Sequence, residues 1–318
     1  MILITGGLGL IGSHTARALL ERGESCVLVQ RREPGPTPLF PDELGGRVLL
    51  EQADVADPRS LLAIGERHPI TGIMHLAGAF FGDPVADART NVNALLNVVE
   101  AGKAWGVRRV GVASSIGVYS PADPSPWRED QPLPLAAPHA IAAAKKVDEV
   151  LVSHLGAAVG IEIHAARIGA IWGPLGRVSS RFFAFPQLIH AAAARTEPKL
   201  DTLPGGRLPH ADEGIDALYV RDCGRALAAL QLADRLEHGV YNVSGGRLTS
   251  YRELSAAIAA AVPGISYDLP EGRDPRSHLP QAHLDITRLR EDTGYEPEYD
   301  TEQAVADYVG WLRAGHER

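Results

Sequence analysis

Cysteine is nearly missing, with Cys26 and Cys223 the only two in 318 residues. They stand far apart without metal-ligand spacing, each in a segment read as buried, so both are expected to be free core thiols rather than a disulfide or a zinc site. No metal centre is expected. Basic runs are missing too. With 31 Lys and Arg against 39 Asp and Glu the formal charge is −8, and no stretch offers the footprint that nucleic acid or an anionic membrane would need. No apolar stretch approaches the roughly 20 residues that span a bilayer, and no charged-then-apolar leader precedes the first apolar run. The expectation is a cytoplasmic protein with a small-molecule substrate. Solenoid-period repeats and low-complexity tracts are absent as well.

What the chain does have is glycine near its start. Ile2, Leu3 and Ile4 leave no room for a helix before Gly6-Gly7-Leu8-Gly9-Leu10-Ile11-Gly12, so they read as a buried parallel strand. Gly6 and Gly9 would let the backbone turn and approach a pyrophosphate, and Gly12 would let the next helix lie on the strand. That helix, over 10–22 and stopped by Gly23, would present its N-terminal N–H groups to phosphates. A tight turn needs glycine whatever it binds. The strand before, the helix after and the second apolar run at 26–29 are what favour a dinucleotide. That run ends in Gln30, Arg31, Arg32 and Glu33, where an acid would take the adenine ribose hydroxyl and arginine a 2′-phosphate. The cofactor read from these residues is NADP, with NAD as the alternative that Glu33 would serve.

Strands and helices then alternate. Strand 48–52 leads to Asp54 and Val55, and Asp57 caps a helix opened by Pro58 and running to 67. Strand 73–78 ends in Leu76, Ala77 and Gly78, where a backbone could pass close to a cofactor; His75 within it reads as a core histidine. A helix over 91–105 begins at Asn91, strand 110–113 delivers Ser114 and Ser115, an Ala-rich helix over 140–154 carries Lys145 and Lys146, and strand 161–167 runs into Ile168. Segments 34–46 and 121–138 are Pro-rich loops. The pattern is that of the α/β class, a Rossmann-type doubly wound parallel sheet with its ligand at the C-terminal strand ends. The expected division is a dinucleotide-binding part over 1–174 and a smaller C-terminal substrate-binding lobe over 175–318, of which about 215–243 returns to the sheet.

These segments together resemble the extended short-chain dehydrogenase/reductase family, the group of sugar-nucleotide epimerases and dehydratases. Thr5 to Gly12 is similar to its glycine motif, Asp54-Val55 to its adenine-contacting acid and His75 to Gly78 to its fourth-strand motif. Asn91-Val92, Ser114 to Tyr119, Arg167 to Pro174, Tyr219 to Asp222 and Gly239 to Val243 continue the series in order. The resemblance implies cofactor contacts at Gly6, Gly9, Leu10, Ile11, Gly12, Gln30, Arg31, Arg32, Asp54, Val55, Leu76, Ala77, Gly78, Asn91, Lys145 and Ile168. It implies a catalytic Ser at Ser115 and a catalytic Lys at Lys145, with an acid, Glu149, four residues on.

The family's Tyr, four residues before that Lys, is here Ile141, which can neither give nor take a proton. His139 and Tyr119 become the candidate substitutes. Three functions stay open: an NAD(P)-dependent oxidoreductase or epimerase with another proton donor; Tyr-independent chemistry in the same pocket, such as C=C or imine reduction or a non-redox reaction; and a dinucleotide sensor without turnover. The resemblance also implies a homodimer through helices 91–105 and 140–154. Ile215, where sugar-nucleotide members often carry an Arg for the diphosphate, and the aromatics Trp172, Phe182, Phe183 and Phe185 point to an apolar substrate rather than a nucleotide sugar.

Overall fold

Runs such as Ile2–Thr5 and Cys26–Gln30 are apolar on both faces, as strands covered by helices on two sides must be. The structure, a computed structural model, describes residues 1–316 apart from 34–36, 81, 121–124, 181, 202, 204–207 and 276–280, so parts of both expected Pro-rich loops lie outside the described residues. In chain order the strands are β1 (Ile2–Thr5), β2 (Cys26–Gln30), β3 (Val48–Gln52), β4 (Gly72–His75), β5 (Arg109–Ser115), β6 (Glu162–Ile168), β7 (Ala170–Trp172), β8 (Gly214–Ile215), β9 (Ala217–Tyr219), β10 (Val240–Val243) and β11 (Thr249–Ser250). The helices are α1 (Leu10–Glu21), α2 (Pro58–Arg67), α3 (Pro84–Trp105), α4 (Ala140–Ala158), α5 (Phe185–Ala194), α6 (Val220–Leu232), α7 (Tyr251–Ala261), α8 (Thr287–Thr293) and α9 (Thr301–Arg313).

The main sheet has the order β10-β6-β5-β4-β1-β2-β3 and is parallel throughout. Strand order reverses between β1 and β4, which opens a crevice above their C-terminal ends. This is the doubly wound Rossmann sheet. Two small ribbons lie outside the main sheet, β7 with β9 and β8 with β11. Among the described residues no helix is long and apolar enough to cross a membrane.

Side chains alternate across the sheet. Leu3, Val27 and Ile73 pack with Leu61, Leu95 and Val98 on one face, while Ile4, Leu28 and Met74 pack with Leu19, Leu227 and Leu230 on the other. Each such side chain, fully buried, contributes about 1.5–3 kcal/mol. A third cluster around Trp172, Phe185, Leu254 and Tyr308 forms the lobe's own core.

Helix α6 lies against α1 so closely that a Cβ on Gly224 would stand 2.9 Å from the Thr15 nitrogen. Its far end is held by Arg109, which is fully buried at the start of β5. The Arg109 guanidinium donates to the carbonyls of Leu230 (2.7 Å), Gln231 (3.1 Å) and Ala233 (2.8 Å) and pairs with Glu162 at 2.9 Å. A cation placed there satisfies the last carbonyls and complements the negative end of the helix dipole.

Two helices differ from the sequence expectation at their starts. Asp83 accepts the Val85 and Ala86 N–H groups and Pro84 opens the helix, so α3 begins one and a half turns or more before Asn91. The aromatic segment that shows no period in the sequence becomes α5, again with proline in its first turn.

Candidate active site at the crevice

The floor of the crevice is main chain. Gly6 has φ +67, and a Cβ there would stand 3.1 Å from the Ala77 nitrogen. A Cβ on Gly12 would press into the Gly6 carbonyl and stand 2.8 Å from the Gly7 Cα. Gly7, outside the expected triplet, is as constrained, because its Cβ would lie 2.7 Å from the Leu28 Cβ on β2. Gly9 is the N-cap of α1, and no side chain caps that helix. The first N–H groups of α1, at Leu10, Ile11 and Gly12, are thus left for an anion at the mouth of the turn.

Beside this turn lies a cleft of about 310 Å³. Of the expected cofactor residues, Gly6, Gly9, Gln30, Arg31, Asp54, Val55, Leu76, Ala77, Gly78 and Asn91 line it. Arg32 and Glu33 are exposed and do not line it. Thr90 and Ala94 also line it and escaped the sequence reading, although they flank Asn91 on one face of α3. An uncapped helix end above a glycine turn, opening into a narrow cleft, fits the pyrophosphate and adenosine of a dinucleotide.

Side chains anchor this floor from beneath. Asn91 Oδ1 accepts the Ala79 N–H (2.7 Å) and its Nδ2 donates to the Ala79 carbonyl (3.0 Å), which fixes the loop after β4. Thr5 Oγ1 accepts the N–H groups of Leu76 (3.1 Å) and Ala77 (3.2 Å) and bonds His75 Nδ1 at 2.8 Å. Burial, helped by the Lys145 charge, lowers the His75 pKa to about 3, so His75 is a neutral core histidine.

The opposite wall is built from side chains on α4. Arg167 on β6 grips Glu149, Nε to Oε1 at 2.9 Å and the terminal nitrogen to Oε2 at 2.7 Å, and Ser114 donates to the same carboxylate. Lys145 Nζ pairs with Asp148 Oδ2 at 2.9 Å inside its own helix. Burial raises the Asp148 pKa while Lys145 pulls it back, and its Oδ1 has no partner among the described residues. Lys146 is not a solvated helix charge: it donates to the carbonyls of Ser120 (3.1 Å), Pro134 (2.5 Å) and Ala136 and fastens the loop before α4.

Three sequence expectations need correction. The Tyr119 hydroxyl accepts from Arg167 (2.7 Å) and donates to Asn242 (2.7 Å), its ring stacks on Trp127, and burial pushes its pKa up to about 12. It is a buried structural group, not a proton donor for the crevice. Ile168 is buried in the core cluster, paired with Ser115 and Val243, and does not line the cleft. Trp172, Phe183 and Phe185 form the lobe core, which leaves Phe182, 56 % exposed, as the only one of those four aromatics facing outward. Ile215 is half-buried against that same lobe core.

Ser115, His139 and Ile141 gather near the end of β5. The β4–β5 register ends with His75 opposite Val112, Ser115 lies three residues further along β5, and neither Ser115 nor Lys145 lines the cleft. Ser115 Oγ accepts the Gly117 N–H (3.1 Å), His139 caps α4 through the Ala142 N–H (3.1 Å), and Ile141 is half-buried in the first turn of that helix. A larger cavity, of about 370 Å³, lies apart in the lobe beside Tyr219 and Tyr299, and its arginines are already paired, Arg247 with Glu253 and Arg290 with Glu296.

Residues 2–244 match the model of the NAD dependent epimerase/dehydratase family. A dTDP-glucose 4,6-dehydratase of Streptomyces griseus is 26% identical over 327 residues, 98% of this chain and 93% of that protein. A UDP-glucose 4-epimerase of Mycolicibacterium smegmatis is 29% identical over 321 residues and 98% of both chains. Among solved structures, a UDP-glucose 4-epimerase from Stenotrophomonas maltophila with bound NAD superposes with a TM-score of 0.83 at 21% identity, over 99% of this chain and 98% of that one. A UDP-glucose 4-epimerase from Thermotoga maritima gives 0.81 at 21%, over 99% of each chain. Those two superpositions establish the fold, and the family match establishes descent: the chain belongs to the NAD-dependent epimerase/dehydratase family.

Proposed function

We propose that the protein is an NAD(P)-dependent oxidoreductase or epimerase of the extended short-chain dehydrogenase/reductase type, acting at a hydroxyl or carbonyl carbon, and that it holds the reacting oxygen differently from its relatives. The observation that carries this reading is the uncapped glycine turn opening onto the cleft, in a chain whose residues 2–244 match the NAD dependent epimerase/dehydratase family. A nicotinamide held there supplies hydride transfer. Gly6, Gly9 and the first N–H groups of α1 would hold the pyrophosphate, Asp54 and Val55 the adenine, and Lys145 the nicotinamide ribose. With Ile141 in the first turn of α4, that position offers no phenol to move the substrate proton.

The cofactor is NADP in this reading. Gln30 and Arg31 line the cleft where an acid would favour NAD, and a guanidinium gains charge-assisted bonds to a 2′-phosphate worth about 1.5–3 kcal/mol each. The relatives are named for nucleotide-sugar chemistry, so a nucleotide-linked sugar is the substrate class to test first. Ile215 gives the diphosphate no guanidinium fork, which favours weaker binding of such a substrate or an apolar one in its place. A homodimer is supported by an exposed strip on α4, Ala143, Val147, Val150 and His154, with Val150 71 % exposed.

The test is titration of the purified protein with NADPH and NADH, followed by incubation with UDP-glucose and dTDP-glucose and product analysis by NMR. NADP(H) should bind at least about tenfold more tightly. Tighter NAD(H) overturns the cofactor choice. Binding without conversion of nucleotide sugars or of simple ketones would make the protein a sensor. Light scattering showing a 33.9 kDa particle would rule out the dimer.

A further inference from the structure

After β3 the chain makes a turn, closed by the Asp57 N–H donating to the Asp54 carbonyl at 2.9 Å, and one peptide unit inside that turn is gripped at both ends. The Val55 carbonyl accepts from Asn97 Nδ2 at 3.0 Å. At the other end of the same unit the Ala56 N–H donates to Asp54 Oδ1 at 3.0 Å. A carbonyl only accepts, so it is the NH₂ of the Asn97 amide that faces it. Asn97 stands one turn beyond Ala94 on α3 and does not itself line the cleft.

The C=O and N–H of a planar trans unit point in opposite directions, so Asn97 and the Asp54 carboxylate hold it from opposite sides. The unit cannot rotate without releasing Asn97, and the Asp54 carboxylate cannot rotate without releasing the unit. Asp54 and Val55 both line the cleft. Among the described residues Asp54 Oδ2 and the Val55 N–H have no hydrogen-bond partner, which leaves one acceptor and one donor beside each other. An amino group next to a bare ring nitrogen, the edge of adenine, complements that pair. Hypoxanthine carries a carbonyl in place of the amino group and a hydrogen on the ring nitrogen, so it would set acceptor against acceptor and donor against donor.

We propose that Asn97 is a positioning residue which, through the Val55–Ala56 peptide unit, aims Asp54 and Val55 so that the cleft selects a dinucleotide with adenine over one with hypoxanthine. This rests on the dinucleotide reading. A site built to pair with a polar edge rejects an analogue whose edge is reversed, because its own groups are then left unpaired. Asn97 touches no ligand, so its effect should appear in the discrimination between the two bases.

The experiment titrates whichever of NADPH and NADH binds more tightly, and its hypoxanthine counterpart, by the nicotinamide fluorescence that both share. The parent should prefer adenine by about tenfold or more. Asn97→Ala should bring the two dinucleotides within about threefold, the loss falling on the adenine form while the hypoxanthine form binds nearly as before; an asparagine with a merely structural role would weaken both alike. Alanine suits a helix, and Asn97→Asp, nearly isosteric but without the donor, is a second variant expected to act the same way. Asp54→Asn should also narrow the preference, and combining it with Asn97→Ala should add little, since one residue acts through the other. A parent that binds neither dinucleotide overturns the dinucleotide reading and this inference with it. A parent that binds both alike, Asn97 variants that keep the parent's ratio, or a double variant whose loss is the product of the single losses overturns this inference alone.

Discussion

The two sides of the crevice achieve position by different means. Under the cleft, Gly6, Gly7 and Gly12 leave no room for a Cβ, and the Asn91 and Thr5 tethers act on backbone groups of Leu76, Ala77 and Ala79. On the other side, α4 is positioned by charge: Glu149 sits in the Arg167 fork and Lys146 on three carbonyls, while Lys145 is held by Asp148 within the helix. A floor of main chain resists added volume, whereas a wall of ion pairs resists the loss of a partner. The two sides should therefore fail under different insults.

Acid should produce the largest effect and strike the sheet beneath the floor. Burial lowers His14 to about 4 and His75 and His164 to about 3, all below the unfolded value of 6.5. A base whose folded pKa is depressed contributes stability that is full above the unfolded pKa and is lost as pH falls, because only the unfolded chain takes up the proton. Each histidine should remove about 1.4 kcal/mol per pH unit below 6.5. Asp216, raised to about 6 by burial, acts in the opposite direction, as do Glu129, Asp148 and Asp222, which burial also raises. Urea unfolding at pH 7 and pH 5 should show a loss of several kcal/mol, and equal stability at both would refute the neutral-histidine account.

Next in size is Glu149→Ala, which leaves the buried Arg167 without its anion and should cost about 3–5 kcal/mol in urea unfolding at pH 7. A loss below about 1 kcal/mol would mean that the wall does not depend on that pair. On the floor, Gly12→Ala should cost about 1–3 kcal/mol through overpacking and abolish dinucleotide binding in a fluorescence titration. Unaltered affinity there would end the claim of a rigid main-chain floor.

Lys145→Ala should weaken NADP(H) about tenfold or more and also destabilise the fold, since Asp148 is left as an unpaired buried acid. Adding Asp148→Asn should recover stability but not affinity. That split separates the lysine's cofactor role from its role in the wall. The smallest effect on stability and affinity is expected from Ile141→Tyr, with NADP(H) affinity within about twofold. If the phenol is accepted, it should raise carbonyl reduction by the roughly 10²–10⁴ typical of positioned acid catalysis.

The floor was legible in the sequence because its signals are local. Glycine spacing, Asp57 before Pro58 and the apolar runs of two-sided strands each state their own backbone requirement within a few residues. The wall was less legible because its roles are set by distant partners. Tyr119 matched a motif position, yet its hydroxyl is engaged by Arg167 and Asn242, 48 and 123 residues away. Lys146 received no role from the sequence, because its partners are carbonyls of the loop before α4 at Ser120, Pro134 and Ala136. The start of α3 was overlooked because the apolar period begins near Val92, well after the Asp83 cap.

The seat of α6 on α1, and of Arg109 at its far end, bears on how the chain can be cut. A fragment ending at Pro174 would keep β1 to β7 but lose α6 and β10, exposing the apolar side of α1 that Leu227 and Leu230 cover and opening β6 as an unpaired edge. Arg109 would meanwhile lose the three carbonyls of Leu230, Gln231 and Ala233 that it satisfies at the end of α6. The complementary piece would carry one strand of a sheet it could not form. Neither half is a module, so cofactor binding and substrate recognition cannot be exchanged between relatives by a single crossover at that point, and a working chimera needs two junctions, one on each side of the segment from Tyr219 to Val243.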